Sequence, residues 1–120
     1  AECQAARCPR EPDIEITESF PLTDNDAEVT AIVTRAFVEH FGAQRVHELA
    51  RISASEDFSV IPDAFGVPYT YWGYGGFTPE QTAVPNHNPG FAPAIQPVLR
   101  TVTEAAVAAV LAYLGRGSHS

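Results

Sequence analysis

The sequence is poor in basic residues. Seven Lys and Arg side chains stand against fifteen Asp and Glu side chains, which gives the 120-residue chain a formal net charge of −8. Negative charge repels phosphate backbones and anionic lipid headgroups, so this balance argues against nucleic acid or a membrane surface as a partner. The acidic residues are scattered along the chain, and their simplest role is to keep the protein in solution.

The sequence also lacks long apolar runs and has little cysteine. No segment approaches the ~20 apolar residues of a membrane span, and no basic-plus-apolar signal segment opens the chain. Cys3 and Cys8 have four residues between them, a spacing that matches no common zinc or thioredoxin-type motif. The sequence allows a disulfide between them but favours free thiols. Free thiols are typical of a reducing compartment, so we expect a cytoplasmic protein.

Two segments have the composition of strands within one ordinary globular domain. In residues 13–20, Ile14 and Ile16 alternate with polar residues, a period of two that predicts a strand with one solvated face. Residues 67–76, VPYTYWGYGG, combine aromatic side chains with terminal glycines. This composition is typical of a buried strand that ends in a tight turn.

Two other segments predict long helices. The first has Asn25 as its N-cap, with Glu28 three residues later, and ends at Gly42. Its apolar stripe consists of Val29, Ile32, Val33, Ala36, Phe37 and Phe41. The last helix has Pro97 in its first turn, and its alanine-rich face predicts close packing against a sheet.

A shorter helix is predicted in SEDFSVIPDAF. Ser55 serves as its N-cap, the carboxylates of Glu56 and Asp57 lie in its first turn, and Pro62 ends it. Acidic residues at a helix start are ordinary and need no function. Residues 43–54, just before it, fit either a short strand or a helical turn.

One histidine lies in a long irregular loop rich in proline, asparagine and glycine. His87 stands between two asparagines in VPNHNPGF, and a loop of about twenty residues usually indicates function or disorder. A loop histidine is most often simply solvated. A histidine on a Pro-restricted backbone is also how a metal ligand is presented, because its ring nitrogen donates a lone pair near neutral pH.

Taken together, these motifs resemble a known enzyme family. SEDFSVIPDAFGVPYTYWGYGG followed by NHNPGFAPAIQPVLRTVTEAAVAAVLAYL resembles the C-terminal end of M20-type metal-dependent amidohydrolases, the group of hippurate hydrolases and related metallo-carboxypeptidases. FPLTDNDAEVTAIVTRAFVEHFG is similar to the segment in which that family's chain passes from its lid domain into its catalytic domain. The resemblance covers nearly all of residues 10–114.

The resemblance implies a fold and a division of the chain. It implies an α/β fold, α+β when taken as a fragment, in which two main helices pack on a few strands of a zinc-peptidase-like catalytic domain. Residues 1–22 would be the end of the lid or dimerisation domain. Residues 23–115 would be the C-terminal part of the catalytic domain, and residues 116–120 a flexible tail.

The resemblance also implies a site. It makes His87 a ligand of one of two divalent metal ions (zinc, manganese, cobalt or nickel), and places Glu56 and Asp57 beside the substrate or behind the ligands. The resemblance gives no more than a place in the wall of the cleft to Asn86, Asn88, Gly75 and Gly76. The substrate would be an N-acyl amino acid or a small peptide.

The family's early metal-binding motif and its general base have no counterpart in this sequence. No residue here is therefore expected to be catalytic, and the 120 residues alone should be inactive. The alternative is a small non-catalytic α+β interaction domain that forms a homodimer or binds a partner through the aromatic strand 67–76 and the edge of residues 13–20, because an exposed edge strand is a template for pairing.

Overall fold

The computed structural model describes residues 2–54 and 56–115. Within these ranges the elements are α1 (Glu2–Ala5), α2 (Ala27–Phe41), a 3₁₀ turn (Ala43–Arg45), α3 (Val60–Phe65) and α4 (Val98–Leu114). No residue in the same ranges belongs to a strand or a bridge. The predicted α/β or α+β fold is therefore wrong for the described part of the chain. The predicted N-cap Ser55 and the predicted flexible tail 116–120 lie outside the described residues.

Helix α2 is confirmed where it was predicted, but its cap is different. Asp26 is the N-cap, and its Oδ1 accepts a hydrogen bond from the Val29 N–H at 2.8 Å. The predicted cap Asn25 is wrong. At the other end Gly42 has a φ of 85° and donates its N–H to the Val38 carbonyl. A positive φ costs glycine little, so the predicted helix stop is confirmed.

Helix α4 packs against α2, not against a sheet. The buried apolar side chains among the described residues are Val33 on α2 and Val98 and Ala105 on α4. The prediction that α4 packs on a sheet is therefore wrong. Pro97 immediately precedes the helix instead of lying in its first turn. Other apolar residues of α4 are exposed to solvent, namely Leu99, Val107, Val110, Leu111, Tyr113 and Leu114.

A charged cluster crosses the α2–α4 contact. Arg100 Nε donates to Glu104 Oε1 at 2.7 Å, and His40 Nε2 lies 3.3 Å from Glu104 Oε2. The pKa of Glu104 is lowered, first by the hydrogen bond from Arg100 and then by that from His40. Because the cluster is open to water, we assign it a role in orienting the helices rather than a large share of stability.

The segment 67–76 contains no helix and forms no ladder with any other segment within residues 2–54 and 56–115. Instead, the Asn25 side chain pairs with the backbone of Tyr71. Asn25 Oδ1 accepts from the Tyr71 N–H at 2.6 Å, and Asn25 Nδ2 donates to the Tyr71 carbonyl at 2.8 Å. A carboxamide carries one acceptor and one donor group, as a peptide unit does, whereas a carboxylate only accepts. This difference explains why Asn25 holds the segment and Asp26 caps the helix.

Further contacts fasten the same segment along α2. The Asp26 N–H donates to the Tyr69 carbonyl at 2.9 Å. The hydroxyl oxygens of Thr30 and Thr70 lie 2.9 Å apart. The Trp72 ring meets Phe37 edge-on at 5.0 Å between centroids. The segment is therefore held by one helix and its preceding turn, not by neighbouring strands.

The other predicted strand, residues 13–20, pairs with no segment of the chain that the structure describes. No backbone hydrogen bond joins it to another part of the described chain. Ile14 and Ile16 are 80% and 84% exposed. Alternation of apolar and polar residues shows which side chains share a face, but a β-ladder exists only where a second segment completes the backbone hydrogen bonds. The strand prediction is wrong for this reason.

Helix α3 starts later than predicted. It begins at Val60 after the N-cap Ser59, so Glu56 and Asp57 precede it, and Pro62 does not end it. Pro62 lies in the first helical turn, where backbone N–H groups have no intrahelical acceptor. Proline lacks this N–H, so its presence there removes no helical hydrogen bond. Gly66 ends the helix in the left-handed conformation. Residues 43–54, left open by the sequence, form the 3₁₀ turn and then irregular backbone.

The chain is elongated. Its Cα radius of gyration is 20.5 Å and its extents are 73 × 42 × 21 Å. A compact domain of this length has a radius of gyration of about 14 Å. The extended shape leaves many apolar side chains in water. None of the helices in the described ranges is both long and apolar enough to cross a lipid bilayer.

The Asn25–Tyr71 pairing predicts the effect of a single substitution. Asn25→Ala removes two hydrogen bonds and should lower the free energy of unfolding by about 1 kcal/mol. Urea denaturation followed by the fluorescence of Trp72, the only tryptophan in the chain, measures this. Asp24→Asn is the matched control, since Asp24 contributes its backbone N–H to the Tyr69 hydroxyl. An equal loss in both variants would contradict the assignment.

Candidate functional site

Two of the residues singled out in the sequence lie beside each other. His87 Nε2 is 3.7 Å from Glu56 Oε1. One comes from the SEDF segment before α3 and the other from the NHNPGF loop before α4. The fold therefore brings together the two motifs that carry the family resemblance.

Aromatic packing places the segment that carries Glu56. The Phe58 ring lies edge-on to Tyr69 at 5.6 Å and tilted against Tyr71 at 4.8 Å between centroids. Both tyrosines belong to the extended segment that Asn25 holds against α2. Burying aromatic surface in this way fixes the backbone two residues from Glu56.

A second set of contacts places the loop that carries His87. The Phe91 ring packs edge-on against Phe77 at 5.7 Å. The Ala94 N–H donates to the Gly76 carbonyl at 2.9 Å. A Cβ at Gly76 would meet Pro93 at 3.5 Å, an ordinary contact distance, so the loop passes close to the end of the aromatic segment. Both arms of the site are thus attached to one extended segment.

The backbone at His87 has an unusual conformation. Its φ is 61°, in the left-handed region that few residues other than glycine occupy. The following turn supports it, since Asn88 Oδ1 accepts from the Gly90 N–H at 2.8 Å and the Asn88 carbonyl from the Phe91 N–H at 2.9 Å. The His87 side chain is 77% exposed. The loop therefore presents the imidazole to solvent from a backbone whose conformation is fixed by the following turn. Residues with strained backbone angles of this kind cluster at functional sites.

The spacing of the pair determines what it can bind. At 3.7 Å the two atoms are too far apart for a hydrogen bond, and they form an ion pair only when the imidazole is protonated. Two ligand atoms on a tetrahedral zinc ion lie about 3.3 Å apart, given metal–ligand bonds near 2 Å. An imidazole nitrogen and a carboxylate oxygen at this separation therefore fit a shared divalent cation.

The described residues contain no complete metal site. No group of three or more His, Cys, Asp or Glu side chains within residues 2–54 and 56–115 is arranged to hold a metal ion. A catalytic zinc ion usually has three protein ligands. Glu56 and His87 thus supply at most a part of such a site.

The remaining predicted residues take no direct part in the pair. Asp57 is exposed, and its side chain makes no ion pair or hydrogen bond with the described residues; its carbonyl accepts from the Val60 N–H. Asn88 shapes the loop through its own turn. Asn86 is exposed and likewise makes no side-chain hydrogen bond to the described part of the chain. Gly76 lies beside the loop, where a Cβ would meet Pro93 at an ordinary 3.5 Å, whereas a Cβ at Gly75 would meet nothing within 4 Å.

Sequence reasoning missed one residue next to this site. Ser59 is completely buried, and its Oγ has no hydrogen-bond partner among the described protein atoms. A buried hydroxyl without a partner costs about 1–3 kcal/mol. Its position, three residues after Glu56 and directly before α3, was the only signal in the sequence, and serine there is typical of an ordinary helix cap.

Grooves elsewhere on the molecule do not include the pair. A cleft of about 200 Å³ between α2 and α4 is lined by His40, Thr103, Glu104, Val107, Ala108 and Leu111. A shallower groove runs along the outer face of α2. Glu56 and His87 line neither of them. No protein-family model matches the sequence, so the family resemblance rests on the motifs themselves.

The turn after His87 predicts a local effect. Asn88→Ala removes the hydrogen bond to the Gly90 N–H and should accelerate its amide hydrogen exchange about fivefold. Exchange measured by NMR reports on this amide directly. Asn86→Ala, in the same loop, is the control and should leave the Gly90 rate unchanged. Equal acceleration by both substitutions would show that the Asn88 side chain does not hold the loop.

Proposed function

We propose that this chain is the C-terminal portion of an M20-type metal-dependent amidohydrolase, which cleaves amide bonds of N-acyl amino acids or small peptides. The approach of His87 to Glu56 is the observation that carries the proposal. The resemblance assigns the SEDF and NHNPGF motifs to one cleft, and here Glu56 Oε1 lies 3.7 Å from His87 Nε2. The surrounding fold nevertheless differs from the expected one.

Each residue of the pair has a specific role in this proposal. The His87 imidazole donates a lone pair to a divalent metal ion, and the left-handed backbone holds it outward for that purpose. The Glu56 carboxylate, whose Oε1 lies 3.7 Å from His87 Nε2, adds negative charge beside the cation and an oxygen that can share it with the imidazole. Glu56 is only 29% exposed, so its charge is partly shielded from water.

The metal would be zinc, manganese, cobalt or nickel, all of which suit imidazole. Once bound with its full set of ligands, it would make a water molecule acidic and polarise the scissile carbonyl. The other ligands and the general base would come from outside these 120 residues. We also propose a cytoplasmic location, which is supported by the free thiols of Cys3 and Cys8.

Metal binding to the pair can be tested on this chain. Titration with Mn²⁺ should broaden the imidazole NMR signals of His87 first, because the paramagnetic ion binds beside it. His87→Ala should abolish that binding, and Glu56→Gln should weaken it about tenfold. Asp57→Asn, the neighbouring exposed carboxylate, should change it less than about twofold and is the matched control.

Results of other kinds would exclude the assignment. His47→Ala leaves the pair intact, so loss of Mn²⁺ binding in that variant alone would place the site elsewhere. In the longer protein that contains this chain, His87→Ala should greatly reduce metal content and turnover. Metal-dependent amidase activity from the 120 residues by themselves would show that the chain is not a portion of a larger active site.

A second candidate function is an interaction module, and the exposed edge of the molecule favours it. Residues 13–20 belong to no helix and have no hydrogen-bonded neighbour in the described part of the chain. Their backbone N–H and C=O groups are free to pair with another extended chain. Exposed Ile14 and Ile16 would add apolar contact area to such a pairing, and a second copy of the chain is the simplest partner.

Sedimentation equilibrium tests this alternative. If residues 13–20 pair between copies, the chain should form dimers, and Ile16→Lys should return it to monomers by placing a charge in the contact. Ile95→Lys is the control, since Ile95 is 78% exposed but lies in the loop before α4. A monomeric wild-type chain, or equal loss of dimer in both variants, would rule out the module.

A further inference from the structure

The two cysteines lie at either end of a defined helix-ending motif. The Cys8 N–H donates to the Cys3 carbonyl at 2.9 Å, and the Arg7 N–H donates to the Gln4 carbonyl at 3.1 Å. Arg7 between them has a φ of 53°. These two hydrogen bonds and a left-handed residue form the Schellman motif at the end of α1.

This motif brings the positions of Cys3 and Cys8 together. The side chains of the third residue from the helix end and of the second residue beyond it commonly touch in a Schellman motif, and here these positions are Cys3 and Cys8. On a continuous helix, four intervening residues would turn them to different faces. The chain leaves the helix at Arg7 instead, and the reversal returns Cys8 to Cys3.

The local geometry suits a covalent link. Disulfides join residues whose Cα atoms lie about 4.4–6.8 Å apart, a range reached when their backbones are in hydrogen-bond contact. Both thiols are free in the structure, with Cys3 half-buried and Cys8 exposed. The hydrogen bond between their backbones thus places the two thiols for oxidation to a disulfide.

We propose that Cys3 and Cys8 form a reversible intrachain disulfide, with a small disulfide such as oxidised glutathione as the oxidant. The exposed Cys8 thiolate attacks one glutathione sulfur and releases one glutathione thiolate. The Cys3 thiolate then attacks the Cys8 sulfur of the mixed disulfide and releases the second. Two protein thiols are oxidised and one glutathione disulfide is reduced to two thiols, with the two protons released by the protein thiols taken up by the two glutathione thiolates.

The link would close the turn after α1 without involving the Glu56–His87 pair. It is independent of the proposed amidohydrolase function, because neither cysteine contacts that site in the described structure. Oxidation would hold the chain in its helical turn just before the extended residues 13–20. The device is a redox-sensitive clip at the N-terminal end of the described chain.

Equilibration of the full chain in mixtures of reduced and oxidised glutathione tests the proposal. Intact-mass spectrometry should show a monomer that has lost two hydrogen atoms, with little glutathione adduct. The glutathione equilibrium also gives the effective concentration of one cysteine thiol at the other. Strong urea unfolds the turn that holds the two cysteines together, so this effective concentration should fall about fivefold. Predominant adduct, a disulfide-linked dimer or no change in urea would each overturn the proposal.

Substitutions at Arg7 separate the turn from the cysteines. Arg7→Gly keeps the positive φ and should preserve the equilibrium within about twofold. Arg7→Val places a β-branched residue at that φ and should lower the effective concentration about fivefold in buffer, to the value found in urea. Equal behaviour of the two variants would show that the motif does not align the thiols. Cys3→Ser and Cys8→Ser should each leave only adduct or free thiol.

Discussion

The carboxamide of Asn25 is the contact on which the architecture depends. It satisfies both backbone groups of Tyr71 and so takes the place of a neighbouring strand for one residue. Without this pairing the aromatic segment 67–76 would have only ring contacts and a few single hydrogen bonds to α2. Because the segment is held in a fixed position along α2, its aromatic side chains meet defined partners. Trp72 packs on Phe37, and Tyr69 and Tyr71 pack on Phe58.

Both arms of the candidate site are attached to that segment. Phe58 packs on Tyr69 and Tyr71 and positions the backbone before α3, where Glu56 lies. Phe91 packs on Phe77 and positions the loop that carries His87. The separation of the imidazole and the carboxylate is thus set by aromatic packing on a shared support, although neither residue belongs to a helix or a strand.

The same construction explains the exposed apolar surface. Only three apolar side chains among the described residues are buried, Val33 on α2 and Val98 and Ala105 on α4. Such a core is small for a chain in which 45% of the residues are hydrophobic. Apolar patches of this extent usually mark surfaces that contact other protein. Both proposed functions, a portion of a larger enzyme and an interaction module, account for this exposure in different ways.

Local patterns in the sequence determined the long helices. The apolar stripe of α2 and its stop at Gly42 depend on periodicity and on backbone freedom at one residue, and both are properties of neighbouring residues. The same is true of α4, whose length follows from its alanine-rich composition. The motifs by themselves also singled out Glu56 and His87, but the chemical roles of these two residues remain proposals.

Only the tertiary structure decided what each segment pairs with. The alternation in residues 13–20 and the aromatic run in 67–76 are typical of strands, yet a strand depends on hydrogen bonds to a distant partner that local sequence does not specify. The exchange of roles between Asn25 and Asp26, the burial of Ser59 and the 3.7 Å approach of Glu56 to His87 are likewise contacts between remote or competing groups. Such contacts are set by the relative free energies of alternative packings of the whole chain, which the composition of a single segment does not contain.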